Sequence, residues 1–294
     1  MRGAVGVDVG GSFVKAVRLD EGGAATERDI RATPRRWDGI MRTVSALASS
    51  LGAGLPLGVG LAGLVDHHRG VLVWAPHLPG QEVDVQDSLE QRLGVGVAVD
   101  NDANLAALAE HRLGAARGAS SALTLTLGTG IGLGVILEGR IYRGRAHAGE
   151  VGHVTVEPDG EECACGRRGC WETKVSGARL DSVAAALLGE GQVAADMVSA
   201  ARAGDSPAVR AMEEAGEWLG RGIEALALAF DPEIIVVGGA AAAGGDLLLE
   251  PVRRHLSGTE GAGWRRLPDV AAGSLGPDAG AIGAALMAGE KSNG

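Results

Sequence analysis

The three cysteines of this 294-residue sequence all fall in one short run, Cys163-Ala-Cys165-Gly-Arg-Arg-Gly-Cys170, downstream of His153. Three thiolates and an imidazole make the donor set of a closed tetrahedral zinc site, and the interleaved glycines let the chain turn tightly around an ion. An odd number of cysteines packed so closely suits a disulfide framework poorly. As a metal site the set is structural, because four protein ligands leave no open position for substrate. The plainer alternative is three buried thiols with a histidine nearby by chance.

Two glycine turns offer a second kind of chemistry. Asp8-Val-Gly10-Gly11-Ser12 and Gly128-Thr129-Gly130 each present backbone N–H groups and a hydroxyl that could wrap a polyphosphate. The G-x-x-x-x-G-K-[ST] pattern of a P-loop is absent, which excludes that class of nucleotide site. Either turn alone reads equally as an ordinary hairpin. Together, with Asp8 available to Mg²⁺, they favour a phosphate-binding role. Lys15, one of only three lysines, fits the same site or a plain exposed strand. Asp102, in Asp100-Asn101-Asp102, is the candidate general base, since phosphoryl transfer to a hydroxyl needs a carboxylate to orient that hydroxyl and take its proton. A simple helix N-cap is the competing reading of Asp102.

These residues need elements to hold them. Val5, Val7 and Val9 alternate with small or polar residues ahead of Gly10-Gly11, and Phe13 to Leu19 resumes the strand pattern, which predicts a hairpin. Leu123, Leu125 and Leu127, then Gly128-Thr129-Gly130 and Ile131 to Leu137, repeat the device. Leu57 to Leu61 and Val97 to Val99 read as buried strands, the second running into Asp100-Asn101-Asp102 and a helix carrying Leu105, Leu108 and Leu113. Met212, Leu219, Ile223, Leu226 and Phe230 mark a long helix ended by Asp231-Pro232, before a strand at Ile234 to Val237 that feeds Gly238-Gly239. Asp278 to Met287 reads as a helix and Glu290 to Gly294 as frayed. Alternating strands and helices in two similar halves predict an α/β protein of two lobes with a cleft between them.

At this point the sequence resembles the ROK family of bacterial sugar kinases and repressors. The resemblance rests on DVGGSFVK (Asp8 to Lys15), GLAGLVD (Gly60 to Asp66), DNDANLAALAE (Asp100 to Glu110), LGTGIGLGVI (Leu127 to Ile136), GEVGH (Gly149 to His153), CACGRRGCWE (Cys163 to Glu172), IIVVGG (Ile234 to Gly239) and LGPDAGAIGAA (Leu275 to Ala285). It spans nearly the whole chain. It implies the two-lobed actin/hexokinase-like (ribonuclease H-like) fold with a central cleft. The small lobe would cover 1–112, joined by the C-terminal helix at about 281–294, and the large lobe 113–280 with the zinc segment.

The resemblance also implies site roles. Asp102 looks like the family's catalytic base; Gly63, Asn101, Asp102, Glu150, His153 and Glu172 look like its sugar ligands. Asp8, Gly10, Gly11, Ser12, Lys15, Thr129 and Gly130 correspond to the phosphate and Mg²⁺ site, and Gly238 and Gly239 to the glycines facing the adenosine. His153 would serve zinc through one nitrogen and the sugar through the other. The implied activity is phosphorylation of a hexose by ATP, glucose first, with kinases of fructose, mannose, N-acetylglucosamine or N-acetylmannosamine as alternatives. Polyphosphate is the alternative donor; relatives that use it usually lack the cysteine cluster. Three positions depart from the family pattern: Ala62-Gly63 where Pro-Gly is usual, His77 where Asn is common, and Ala240 where a third glycine is common.

Composition narrows the classes. The net charge is −10, with no basic cluster to track a phosphate backbone. The rival reading is a sugar-responsive regulator, which would carry an added N-terminal winged helix-turn-helix; the first phosphate motif already begins at Asp8, and with the net charge this weighs against it. No signal peptide or apolar span is evident, which predicts a cytoplasmic protein without membrane or nucleic-acid partners. A homo-oligomer, dimer or tetramer, is expected.

Overall fold

The computed structural model describes residues 2–239, 243–259 and 266–291. The chain divides into two compact units: Met1–Leu113 with Ile141–Ala148 and Pro277–Gly294, and Gly114–Arg140 with Gly149–Gly276. Ile141–Ala148, which sequence continuity places with the second half, packs with the first.

In the first unit, β1 (Ala4–Val9) and β2 (Phe13–Leu19) form an antiparallel hairpin in which Val9 faces Val14 and Asp8 faces Lys15. β3 (Ala25–Ala32) extends it antiparallel to β2. α1 (Trp37–Gly52) buries Ile40, Met41, Val44, Leu47, Ala48 and Leu51, the one-sided stripe of a helix lying on a sheet. β4 (Leu57–Leu61) then pairs in parallel with β1 and is buried throughout. Short strands β5 (Leu64–Asp66), β6 (Val71–Trp74) and β7 (Val83–Asp84) make a separate three-stranded sheet, followed by α2 (Gln86–Leu93). β8 (Val97–Asn101) closes the main sheet parallel to β4, in the order β3-β2-β1-β4-β8, and passes directly into α3 (Asp102–Leu113).

The second unit is built on β9 (Ala122–Leu127) and β10 (Ile131–Leu137), with the two-residue β11 (Arg140–Ile141) at its boundary, then a 3₁₀ turn at Val151–His153. Helices α4 (Glu172–Val175), α5 (Gly177–Leu188), α6 (Ala194–Arg202) and α7 (Ser206–Phe230) follow. Asp205 caps α7 by accepting from Ala208 N, and Asp231 ends it in a left-handed conformation just before Pro232. β12 (Ile234–Gly238), α8 (Asp246–Gly258) and β13 (Asp269–Ala272) complete a sheet in the order β11-β10-β9-β12-β13. In both units the third strand of the order pairs antiparallel with the second and parallel with the fourth.

The last helix, α9 (Ala279–Lys291), belongs to the first unit and is buried from Ala279 to Gly289. It begins one residue later than expected, after a 3₁₀ turn at Gly276–Asp278, and keeps Glu290 and Lys291 helical where fraying was expected. Arg112 bonds Glu290 and fixes that end. Residues 292–294 lie outside those described. A Cβ on Gly6 or Gly58 would collide with the carbonyl oxygens of Ala281 or Ala284, so both must be glycine for this Ala/Gly helix to lie directly on β1 and β4. The sequence holds 49 glycines in 294 residues, and close packing of this kind, as well as turns, calls for some of them. Each unit has its own apolar core, one around Val5, Val7, Leu57 and Leu47, the other around Leu123, Leu125, Leu219 and Ile235.

Candidate active site and metal centre

The strongest local constraint in the first unit lies where β8 becomes α3. Asn101 caps the helix: its Oδ1 accepts from Ala103 N at 2.9 Å and Asn104 N at 3.1 Å. Its Nδ2 donates to Gly63 O at 3.1 Å and to Asp102 Oδ1 at 3.0 Å, so Gly63, Asn101 and Asp102 are brought together as one group. Asp102 is the first residue of α3, and its Oδ1 also accepts from its neighbour Ala103 N. Asn101 supplies the bond to Asn104 that a capping reading of Asp102 would have assigned to the aspartate. The Asp102 carboxylate stands at the positive end of α3. Gly63 sits too close to Trp74 O and Ala75 to carry a side chain.

Around the first glycine turn, Gly10 N donates to Phe13 O at 3.0 Å, while Thr33 binds the carbonyls of Gly10 and Ser12 from β3's end. Gly11 and Ser12 are exposed. Asp8 lies between β4 and the start of α9: a Cβ on Gly280 would be 2.8 Å from its Oδ2 and one on Gly60 3.6 Å from its Oδ1. Burial pushes the Asp8 carboxyl up to about 6, with Lys15 opposing and Asp278 reinforcing the shift. Lys15 itself donates to Pro277 O at 2.9 Å, so its ammonium is tied to the entry of α9.

In the second unit the metal candidates converge. The ligand atoms of His153, Cys163, Cys165 and Cys170 all lie within 4.8 Å of one another. Cys165 and Cys170 sulfurs are 3.6 Å apart, and Cys163 Sγ is 3.7 Å from His153 Nδ1. Zn–S and Zn–N bonds of about 2.3 and 2.1 Å require tetrahedral edges of roughly 3.5 to 3.8 Å. The donor chemistry fits zinc and these two edges fall in that range, the whole set lying within 4.8 Å, and all three cysteines are free thiols. Burial pushes Cys163 and Cys170 up. It also acts upward on Cys165, but bonds from Arg167's backbone and side chain outweigh it and bring that thiol down to about 6.

His153 Nδ1 faces the sulfurs, while Nε2 is 4.0 Å from Glu150 Oε2. Glu172 links two of the predicted groups. Its Oε1 accepts from Cys163 Sγ at 3.0 Å and lies 3.3 Å from His153 Nδ1; its Oε2 is 2.6 Å from where a Gly130 Cβ would stand. The glutamate thus connects the thiol cluster to the second glycine turn. Gly128 N donates to Gly130 O across that turn, leaving Thr129 exposed. Gly239 has φ +85°, and a side chain there would press on Leu127, so the strand β12 ends against the same turn's entry. Ala240, beyond it, lies outside the described residues.

One anchor escaped the sequence reading. Trp171, 2% exposed, donates its Nε1–H to Trp218 O at 2.9 Å and occupies space that Gly222 leaves on α7. Its position inside the CACGRRGCWE run was the available signal.

The sequence matches the ROK family over residues 4–291. The chain belongs to the ROK family. It is 34% identical over 308 residues to a glucokinase of Streptomyces coelicolor, covering 97% of each chain. The crystal structure of a ROK family glucokinase from Streptomyces griseus in complex with glucose and AMPPNP superposes with a TM-score of 0.89 at 37% identity, covering 97% of this chain and 99% of that one. A ROK hexokinase from Thermus thermophilus gives 0.80 at 36% identity, covering 99% and 100%. The fold of this ROK protein is accordingly the α/β, actin/hexokinase-like one expected from the sequence. Among the described residues no helix is long and apolar enough to cross a membrane.

Proposed function

We propose that this ROK protein is an ATP-dependent sugar kinase that converts glucose to glucose 6-phosphate. The observation that carries the reading is its full-length similarity to the Streptomyces griseus glucokinase held with glucose and AMPPNP. The geometry is compatible with it, because Asn101 takes the capping bond to Asn104 N and its Nδ2 holds the Asp102 carboxylate at the head of α3, where a base would stand.

In this reading Asp102 orients the sugar's primary hydroxyl and accepts its proton as the hydroxyl oxygen bonds to the γ-phosphorus; the bond to the β–γ bridging oxygen breaks and ADP leaves. Asn101 and Gly63 hold neighbouring hydroxyls, as do Glu150, His153 and Glu172. Carboxylates with an imidazole can fix several hydroxyls of a pyranose at once. Gly10, Gly11, Ser12, Thr129 and Gly130 offer N–H and hydroxyl donors to phosphate, and Gly238 and Gly239 face the adenosine. Lys15, whose ammonium rests on Pro277 O, belongs to the same proposed phosphate site. Mg²⁺ would be held near Asp8 and would neutralise phosphate charge. Zinc held by His153 Nδ1, Cys163, Cys165 and Cys170 would be structural: it would lock the imidazole tautomer so that Nε2 is turned towards the sugar.

The lobes are proposed to run near 1–112 with the C-terminal helix, and 113–280 apart from Ile141–Ala148, which packs with the first unit. A cytoplasmic homo-oligomer that binds no nucleic acid completes the reading, consistent with the net charge of −10. A panel of glucose, fructose, mannose, N-acetylglucosamine and N-acetylmannosamine against ATP and polyphosphate, with product detected directly, tests it. Glucose with ATP should give the highest kcat/KM. A better N-acetylated substrate, or turnover with polyphosphate alone, would replace the substrate or the donor.

A further inference from the structure

Asp100 is 1% exposed, yet the bonds already described use only its neighbours Asn101 and Asp102. A carboxylate so deeply buried must be paired. Its two oxygens have separate duties. Oδ1 accepts from Asn101 N at 2.8 Å and from Asn104 Nδ2 at 3.1 Å. Oδ2 accepts from Arg143 Nε at 2.7 Å and Nη2 at 2.6 Å.

Arg143 comes from Ile141–Ala148, the short segment that returns to the first unit. Its side chain is 24% exposed, and among the described residues it is the cation paired with Asp100. His67 lies within electrostatic reach of both; burial first, and Arg143 second, hold its pKa below the usual value, so it stays neutral at neutral pH and does not share that role. Asn104 is buried with no hydrogen-bond partner for its Oδ1 among the described residues. The fold tolerates that unmet acceptor while Asn104 Nδ2 holds Asp100.

The bonds form a chain. Arg143 fixes Oδ2 and with it the rotation of the carboxylate; Oδ1 then holds the Asn101 backbone and the Asn104 amide. Asn101 Oδ1 in turn receives the N–H groups of Ala103 and Asn104, and its Nδ2 grips Gly63 O and Asp102 Oδ1. We propose that Arg143 is a positioning residue for phosphoryl transfer: acting through Asp100, it sets the geometry of Asn101 and Asp102 without touching either substrate. The inference rests on the kinase reading given above.

Wild type, Arg143→Ala, Arg143→Lys and the double variant Asp100→Asn/Arg143→Ala test it together. Arg143→Ala should lower kcat by about 10- to 100-fold, the scale of a misplaced catalytic group, with KM for ATP held within about twofold. Arg143→Lys should recover most of the rate, because both guanidinium contacts fall on one oxygen that an ammonium can also serve. Arg143→Ala strands a buried charge and should lower Tm; the double variant removes the charge and should restore Tm while kcat stays low. Amide hydrogen exchange at Asn101, Ala103 and Asn104 should quicken in Arg143→Ala and in the double variant, and stay slow in Arg143→Lys. If kcat recovers with Tm in the double variant, the pair is merely structural and the proposal fails. Unchanged exchange in Arg143→Ala overturns it without reference to activity. Wild-type enzyme that phosphorylates no sugar would instead overturn the kinase reading, and the exchange data would still decide the role of Arg143.

Discussion

The two five-stranded sheets have one strand order, but the side chains at their working ends are held in different ways. In the first unit Asn101 and Asp102 are fixed by hydrogen bonds radiating from a buried ion pair, Arg143 to Asp100. In the second, Glu150 and His153 lie at the 3₁₀ turn before a loop and Glu172 at the head of α4 after it, and along that loop three thiols converge with the His153 imidazole within 4.8 Å. A strand running directly into a helix carries its own register, so the first group needs only caps and one charge pair. The loop from Val154 to Trp171 has two isolated bridges, Thr155 with Cys170 and Glu162 with Arg168, and backbone bonds such as Val156 N to Gly169 O and Cys163 N to Arg167 O, to which a metal held by the thiols would add a cross-link. The comparison teaches that a duplicated scaffold leaves each half to solve positioning with what its insertions supply.

The sharpest test of the hydrogen-bonded side is Asp102→Asn. It should retain sugar binding and lower kcat by a factor of roughly 10² or more, as loss of a general base does. Turnover near the wild-type rate would reduce Asp102 to the opening residue of α3 and remove its distinction from Asn101.

The metal side should respond differently, in affinity more than in rate of the chemical step. Purified protein should contain about one zinc per chain, as a four-ligand site requires. Removing it by chelation, or Cys165→Ser, should weaken glucose binding by about tenfold and lower Tm, while nucleotide affinity stays within about twofold. Full sugar affinity in zinc-free protein would show that the loop orders itself, and the contrast between the units would collapse.

Much of this organisation was legible in the sequence where a local pattern determines structure. Alternating valines and the Gly10-Gly11 pair specify β1 and β2, and the 3.6-residue spacing from Met212 to Phe230 specifies α7. The junction of β8 with α3 was likewise readable from Val97 to Val99 and the Asn/Asp entry. What stayed hidden depends on atoms rather than patterns. Asn101 and Asp102 are both plausible caps, and only the positions of their side-chain oxygens assign the task. Arg143 meets Asp100 across 43 positions with no periodic signal to pair them. Strands as short as β7 or β11 fall below the length at which alternation can be recognised.

A smaller effect separates the loop's metal from its apolar anchor. Trp171→Phe keeps an aromatic ring in the space left by Gly222 but loses the Nε1 bond to Trp218 O. The cost should be about 1 kcal/mol, read as a fall in Tm of about 2 °C for a chain of this size, with zinc content unchanged. Loss of zinc from this variant would mean that α7, as well as the thiols, determines the shape of the loop.

The smallest expected effect concerns His77, which departs from the common asparagine; an imidazole is bulkier than a carboxamide and would crowd a sugar substituted at C2 if it faces that position. The structure puts it against the other glycine turn: its Cβ is 3.0 Å from where a Cβ on Gly11 would stand, and its side chain is exposed. A side chain at Gly11 would crowd His77, so the imidazole is a neighbour of the turn proposed to bind phosphate as well as of the proposed sugar site. These two positions predict different outcomes. If the ring limits the sugar, His77→Asn should raise kcat/KM for N-acetylglucosamine relative to glucose by about two- to threefold, the size of a modest steric penalty relieved in a pocket, and leave KM for ATP unchanged. If it acts only on the turn, the sugar ratio will hold and KM for ATP will move instead. The steric account predicts the first outcome, and a fixed sugar ratio with an altered KM for ATP would refute it.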